Sequence, residues 1–532
     1  MKRIHVMAAA LLTALSIQAQ NPYLPLWEYI PDGEPYVFED PDRPGEYRLY
    51  IYGSHDNEVT AYCGRDQVVW SAPVGNLTDW RYDGVIFRSM TDADGNLLDA
   101  RSGKGDILYA PDIAAVRQQD GSTLYYLYPN NQAGGRQSQV CVSDRPDGPF
   151  EVINWNERNP RRTDGILGFD PAVFVDDDGR VYGYWGFEES NGAELDPETM
   201  ASVKPGTRIV RNMVSDYRHD GEFRFFEASS MRKIGDKYVF VYSRYTEDGE
   251  DGLPASNNTL AYAYSDSPLG PFTYGGTIID AREPAVNAHN GQAIATANRY
   301  GNTHGSILEI DGQWWVFYHR QTGTDQFSRQ AMVAPIDVRV EADKVEISRA
   351  EVTSEGFSTE GLNPLNRISA GWACWFWHPS KAVEQYPNFI YSGSYIQPSH
   401  PEDGTNVEGF SLKNRYCPLV NNTPGSIVGF KYLNFDRLRS CREVNLEIRI
   451  RPLGAGGRIK VMVGDPTSSE GGSVIAEFPL GSVASDDMST LSVRCENDLK
   501  GIKGRGRKGL FFQFEGGEPG QSLCDFYDFR FF

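Results

Sequence analysis

The stretch GFDPAVFVDDDGRVYGYWGF, residues 168–187, decides how the rest of the chain is parsed. It holds an acid, Asp170, then Pro171, a short apolar run from Ala172 to Val175, a turn at Asp178-Gly179 and an aromatic return from Val181 to Trp185. An apolar run, an Asp-Gly turn and a second apolar run are the marks of a β-hairpin. The acidic run Asp176 to Asp178 belongs to that turn, where aspartates bond their own backbone, and does not read as a cation site.

The same phrase is written four more times. It begins as GEPYVFEDPDRPGEYRLYIYGSHD at Gly33, APDIAAVRQQDGSTLYYLYPNN at Ala110, FEASSMRKIGDKYVFVYSRY at Phe226 and HGSILEIDGQWWVFYHR at His304. Each copy has a polar residue, an apolar strand, a Gly-containing turn and an aromatic strand. Repeats of this length are the signature of propeller blades, small antiparallel sheets that bury their faces only against their neighbours. The expected fold is all-β: a five-bladed β-propeller over residues 21–360, then a β-sandwich of jelly-roll type over 361–532. SDRPDGPF at Ser143 and SDSPLGPF at Ser265 read as equivalent outer-strand turns of two blades. Beyond Pro364 the text changes to alternating segments such as VNLEIRIRPLG at Val444 and KGLFFQFEGG at Lys508, as a sandwich requires.

Residues 1–20 stand apart. A basic start, an apolar run from Val6 to Leu15 too short to span a bilayer, and small residues before Gln20 predict an export signal, hence a periplasmic or extracellular protein. No later run predicts a membrane span. A net charge of −21 argues against nucleic acid and anionic membranes as partners, because both would repel the chain. The seven cysteines show no metal-ligand spacing, and one or two disulfides are allowed in the last third.

In a propeller the innermost strands line a central channel, so the polar residues that open the copies should share one space. They are Glu34, Asp112, Asp170, Glu227 and His304. Trp185, Phe187 and Arg320 end strands that would rim the cavity, as do Ser54, His55 and Asp56, and Arg329 follows in SRQAMVAP.

The segments FDPAVFVDDDGRVYGYWG and FFEASSMRKIGDKYVFVYS, with APDI before them and HGSILEIDGQWWVFYH after, resemble glycoside hydrolase family 43 over about residues 22 to 340. The resemblance implies an exo-acting, inverting arabinofuranosidase or xylosidase on a five-bladed propeller, with an oligo- or polysaccharide substrate and no required cofactor. It makes Glu227 the general acid and Asp170 the acid that tunes it. An anionic Asp170 would raise the Glu227 pKa and keep it protonated. The base is either Glu34 or Asp32. Glu34-Pro35 superposes on Asp170-Pro171 without a gap, whereas an aspartate is the family's habit. Asp112, Trp185, His304 and Arg320 are the expected substrate-binding residues, with a structural calcium allowed near His304. The favoured substrate is a terminal α-L-arabinofuranose of a plant polysaccharide. A β-xylosidase, a galactofuranosidase and a silent sugar-binding propeller are the alternatives. The C-terminal region weakly resembles a family 6 carbohydrate-binding module, with Trp372, Trp375 and Trp377 as a sugar platform or as core.

Overall fold

Each of the five copies forms the inner hairpin of its own antiparallel sheet in the computed structural model, which describes residues 20–532 except 58–60, 100, 102, 215–220, 288–289, 299–300, 381–382, 386–387, 391, 399–416, 497–501 and 503–505. The N-terminal stretch read as an export signal lies outside the described residues but for Gln20. The first blade runs Glu34–Glu39, Tyr47–Tyr52, Gln67–Pro73 and Arg81–Phe87, each strand pairing with the next. The second blade opens on Asp112–Arg117, the third on Ala172–Val175 and the fourth on Phe225–Ile234, and each has four strands in sequence order. The fifth has three, Ser306–Ile310, Gln313–Gln321 and Arg329–Ile336. The SDRPDGPF and SDSPLGPF turns both join a third strand to a fourth, in blades two and four.

The aromatic second strands show why these sheets need one another. Tyr50 and Tyr52 of the first blade are buried with Ile113 and Leu127 of the second. Ala114 and Tyr128 of the second pack with Val173 and Val181 of the third. Tyr182 and Tyr184 of the third meet Phe225 and Phe240 of the fourth. Val239 and Val241 of the fourth meet Ile307 and Val316 of the fifth. Trp315 and Phe317 of the fifth then share a cluster with Leu49, Ile51 and Trp70 of the first. Every blade therefore buries each apolar face against a neighbour, which is how small sheets that are marginal alone become stable together.

The remainder is a two-sheet sandwich. One sheet is built around Cys524–Phe531, Asn445–Pro452 and Ser489–Arg494, the other around Ile427–Asn434, Arg507–Glu515, Arg458–Val463 and Ser473–Pro479. Alternation along Asn445–Pro452 puts Leu446, Ile448 and Ile450 in the interior with Phe512, Phe526 and Phe529. Among the described residues none of the seven cysteines is in a disulfide, so the bridges that the sequence allows in this domain are not formed. A core this rich in Phe and Ile holds the sheets without them.

The two domains share a core. Cys374, Trp375, Ile427 and Phe511 of the sandwich sit in the same buried cluster as Val239, Ile307 and Val316 of the propeller. Around it Lys431 Nζ bridges Glu283 at 2.7 Å and Glu351 at 2.9 Å, and Arg320 Nη2 donates to the carbonyl of Ala373 at 3.0 Å. Trp375 is therefore interdomain core and no sugar platform. Trp375→Ala should destabilise the protein by about 3–5 kcal/mol, the usual cost of emptying a buried Trp site. Urea denaturation measures it, and a loss below about 1 kcal/mol would mean that the shared cluster does not couple the domains.

Candidate active site

The acids and their neighbours meet in one cavity of about 860 Å³ lined by Asp32, Asp170, Glu227, His304 and Arg329. That volume lies within the usual range for a small-ligand site. Two of the lining acids are set by unusual backbone. Asp32 has φ 59° and Asp170 has φ 47°, and each stands two residues before the first residue of its inner strand, Glu34 and Ala172. The strand pairing gives the same equivalence, since Glu34 is opposite Tyr52, Asp112 opposite Tyr128 and Ala172 opposite Tyr184. Glu34 thus corresponds to Ala172, and Asp32 to Asp170. The gap-free Pro alignment is two residues out of register, a slip that preserves the inward face and so leaves the hydrophobic alternation unchanged.

Asp32 is held as an anion. Arg329 Nη1 donates to both of its oxygens at 3.0 and 3.2 Å, and Ser54 Oγ donates at 2.5 Å. Burial works to raise its pKa, but the Arg329 guanidinium and the histidine contacts outweigh burial and hold it far below the usual carboxylate range. Arg329 is in turn fixed by Asp56, through Nε to Oδ2 and Nη2 to Oδ1, both 2.9 Å. His319 Nδ1 lies 3.2 Å from both the backbone nitrogen and Oδ1 of Asp32, and its Nε2 is 3.0 Å from the carbonyl of Asn302.

Glu227 has the opposite environment. It lies on the Phe225–Ile234 strand where the pairing slips between Glu227 and Ser230, and the next residue, Ala228, has φ 68°. Such a bulge re-aims a side chain out of the ladder, here into the cavity. One oxygen accepts from Asn302 Nδ2 at 2.7 Å. Burial and, more weakly, the charge of Asp32 push its pKa up to about 7. Asp170 is also pushed well above the usual range, by burial first and then by Glu227. The two acids therefore titrate as a pair that retains a proton near neutrality. Both oxygens of Asp170 accept N–H groups, from Asn130 Nδ2 at 3.0 Å and the Ala228 backbone at 3.2 Å. The donors on both oxygens of Asp170 offset part of its burial, and the proton is shared within the Glu227–Asp170 pair. His304, whose pKa burial lowers, stands between the acids, with Nδ1 3.8 Å from Asp32 and 3.6 Å from Asp170.

The other expected residues fall elsewhere. Glu34 does not line the cavity; it is 1 % exposed and accepts from Arg232 Nη2 at 2.7 Å and Ser230 Oγ at 3.2 Å, one step further along the channel. Asp112 is occupied by Tyr36 Oη at 2.7 Å and the Val173 N–H at 2.6 Å, so it ties three blades together instead of facing a ligand. Burial, then the charge of Glu34, raises its pKa to about 7. Trp185 ends its strand outside the cavity, and after Gly186, at φ 148°, it is Phe187 that reaches the lining beside Phe169 and Phe226. Arg320 points to the sandwich because it alternates with His319, which faces the channel. Around His304 the described residues include no group of three or more His, Cys, Asp and Glu side chains arranged to hold a metal ion. Asn302, Asn130 and His319 carry no motif, and only the folded geometry brings them to the acids.

Removing the guanidinium would leave Asp32 and Asp56 buried without their cation. Arg329→Met should therefore cost about 3–5 kcal/mol of stability in a denaturant titration, the penalty of an orphaned buried charge. A stability unchanged to within experimental error would show that the clamp is not what holds this end of the channel.

Known proteins resemble the chain over much of its length. The model of Glycosyl hydrolases family 43 matches residues 41–342. A xylosidase/arabinosidase of Thermoclostridium stercorarium is 32% identical over 493 residues, covering 87% of this chain and 90% of its own. An arabinoxylan arabinofuranohydrolase of Paenibacillus polymyxa is 27% identical, over 65% of this chain and 52% of its own. A crystal structure of an arabinoxylan arabinofuranohydrolase of that family from Bacillus subtilis, in complex with cellotetraose, aligns over 96% of this chain and 97% of its own at 20% identity and a TM-score of 0.44. With a family match over more than half its length and a relative 32% identical over 87% of it, the chain belongs to glycosyl hydrolases family 43 and is a glycoside hydrolase.

Proposed function

We propose that the protein removes a terminal sugar from a plant polysaccharide or its oligosaccharides with inversion at the anomeric carbon, Asp32 acting as base and Glu227 as acid. One observation carries this reading: two carboxyls on one cavity are held in opposite states, Asp32 ionised by Arg329 and Glu227 protonated up to about pH 7. The water oxygen forms the new bond to the anomeric carbon and gives its proton to Asp32. The bond to the leaving oxygen breaks, and Glu227 protonates that oxygen as it departs. Asp170 keeps the proton on Glu227 by remaining the charged member of their pair. Glu34, paired with Arg232, shapes the channel and takes no part in proton transfer.

The favoured sugar is α-L-arabinofuranose attached to a xylan, with β-D-xylose as the second choice. Support comes from the relatives, one named xylosidase/arabinosidase and another arabinoxylan arabinofuranohydrolase. A β-xylosidase of Xylanibacter ruminicola, 31% identical over 38% of this chain, keeps the xylose reading in play. The proposal places the protein outside the cytoplasm, where such glycans are met, as its N-terminal sequence predicts.

The test is hydrolysis of 4-nitrophenyl α-L-arabinofuranoside and β-D-xyloside beside three variants. Asp32→Asn, and Glu227→Gln on a natural glycoside, should each lower kcat by about 10²–10⁴-fold, the scale of a lost general base or acid. Glu34→Gln should keep most of the activity. If Glu34→Gln is dead and Asp32→Asn is active, the base has been assigned to the wrong residue. The pH profile follows from the same two groups. Activity needs Asp32 charged and Glu227 protonated, so kcat/KM should fall as pH rises through about 7. Its acid limb should lie below the ordinary carboxylate range. A profile still rising at pH 8 would contradict Glu227 as the acid, a pH about one unit above its pKa.

A further inference from the structure

The cavity is not made by the propeller alone. Trp377, His378 and Pro379 of the sandwich domain line the same space as Glu227 and Asp32. On the short strand Trp375–Trp377 the side chains alternate: Trp375 is buried in the interdomain cluster, Phe376 packs on the sandwich core, and Trp377 returns to the propeller side at the strand's end. The strand is pinned from the other side. The backbone N–H of Phe376 donates to the carbonyl of Thr296, next to the hairpin Pro284–Val286 and Ala293–Ala295. That hairpin brings Asn287, Asn290 and Gln292 to the cavity as well. His378 is fixed within its own domain, its Nδ1 accepting from the Ser380 N–H at 3.0 Å and its Nε2 facing the Pro424 carbonyl at 3.3 Å.

We infer that Trp377 and His378 form a binding subsite for the part of the glycan that stays behind, the pyranose units on the far side of the bond that is cut. The inference rests on the function proposed above and adds a determinant of substrate size to it. A tryptophan in the lining and the amide side chains that the hairpin brings to the same cavity supply groups for stacking a sugar ring and bonding its hydroxyls. The cation at this wall, Arg282, is neutralised by Asp280 at 2.7 Å, which suits an uncharged ligand. The sandwich thus contributes to catalysis as a fixed wall of the site.

The experiment uses the full chain with Trp377→Ala, Trp377→Phe and His378→Ala, assayed on xylotriose and on arabinofuranosyl-substituted xylotriose. The released monosaccharide, which fills only the terminal-sugar position, is measured beside them as a competitive inhibitor. Trp377→Ala should raise KM and lower kcat/KM on the oligosaccharide that is cleaved about tenfold, equivalent to ~1.4 kcal/mol. The inhibition constant of the monosaccharide should stay unchanged. Trp377→Phe should restore most of the loss, and His378→Ala should show a smaller loss of the same kind. An equal loss of monosaccharide binding, or unchanged kcat/KM in both alanine variants with native thermal unfolding, would overturn the subsite. A wild-type protein that cleaves neither sugar from any substrate would instead overturn the proposed function, and the subsite with it.

Discussion

A single buried guanidinium holds the working end of this molecule together. Arg329 enters from the first residue of the last propeller strand and donates to Asp32 and Asp56, which flank the first blade's inner hairpin. Three charges this buried would be costly apart, and together they satisfy one another. The same contact joins the two ends of the repeat series and sets the charge of the candidate base. Further ties follow: His319 positions Asp32 through its backbone, and Asn302, bound to the other nitrogen of that ring, holds Glu227. The two carboxyls are thus linked by a chain of hydrogen bonds whose members come from blades one, four and five and the loops between them.

Opposite protonation of chemically similar acids comes from what surrounds each of them. Asp32 has a permanent cation, Asp170 has an N–H for each oxygen, and Glu227 has one amide and otherwise burial. Low dielectric penalises any charge left without a partner, so the Glu227–Asp170 pair retains a proton while Asp32, held by a cation, does not. The expected source of the Glu227 shift was an anionic Asp170. The larger cause is burial itself, with Asp32 as the charged neighbour that adds to it.

The sandwich changes how the catalytic domain should be regarded. Its Trp375 closes an apolar cluster that begins in blades four and five, and its Trp377 reaches the cavity two residues later. An appended module that shares both core and cavity with its neighbour is part of the site's architecture. The CWFW run, legible in sequence as either core or platform, serves as core at Trp375 and as cavity wall at Trp377, because strand alternation brings both to the propeller side while the cavity reaches only the second.

Five hairpin copies, each with its turn and its aromatic return strand, were readable from the residues alone, because period-two alternation and Gly turns are local properties of the chain. So were Asp170, Glu227 and His304 as members of one polar space. The choice between Asp32 and Glu34 was not, since a slip of two residues leaves every side chain on the same face and only the pairing with Tyr52 and Tyr184 resolves it. Nor could sequence tell which acids would find partners: Asp112 spends both oxygens on Tyr36 and Val173, Glu34 gives one oxygen to Arg232 and Ser230, while Asp32 meets Arg329 almost three hundred positions away. Local pattern determines which residues point inward; only tertiary structure decides which of them are already satisfied by the protein and which remain for the substrate, because that depends on donors brought from distant blades.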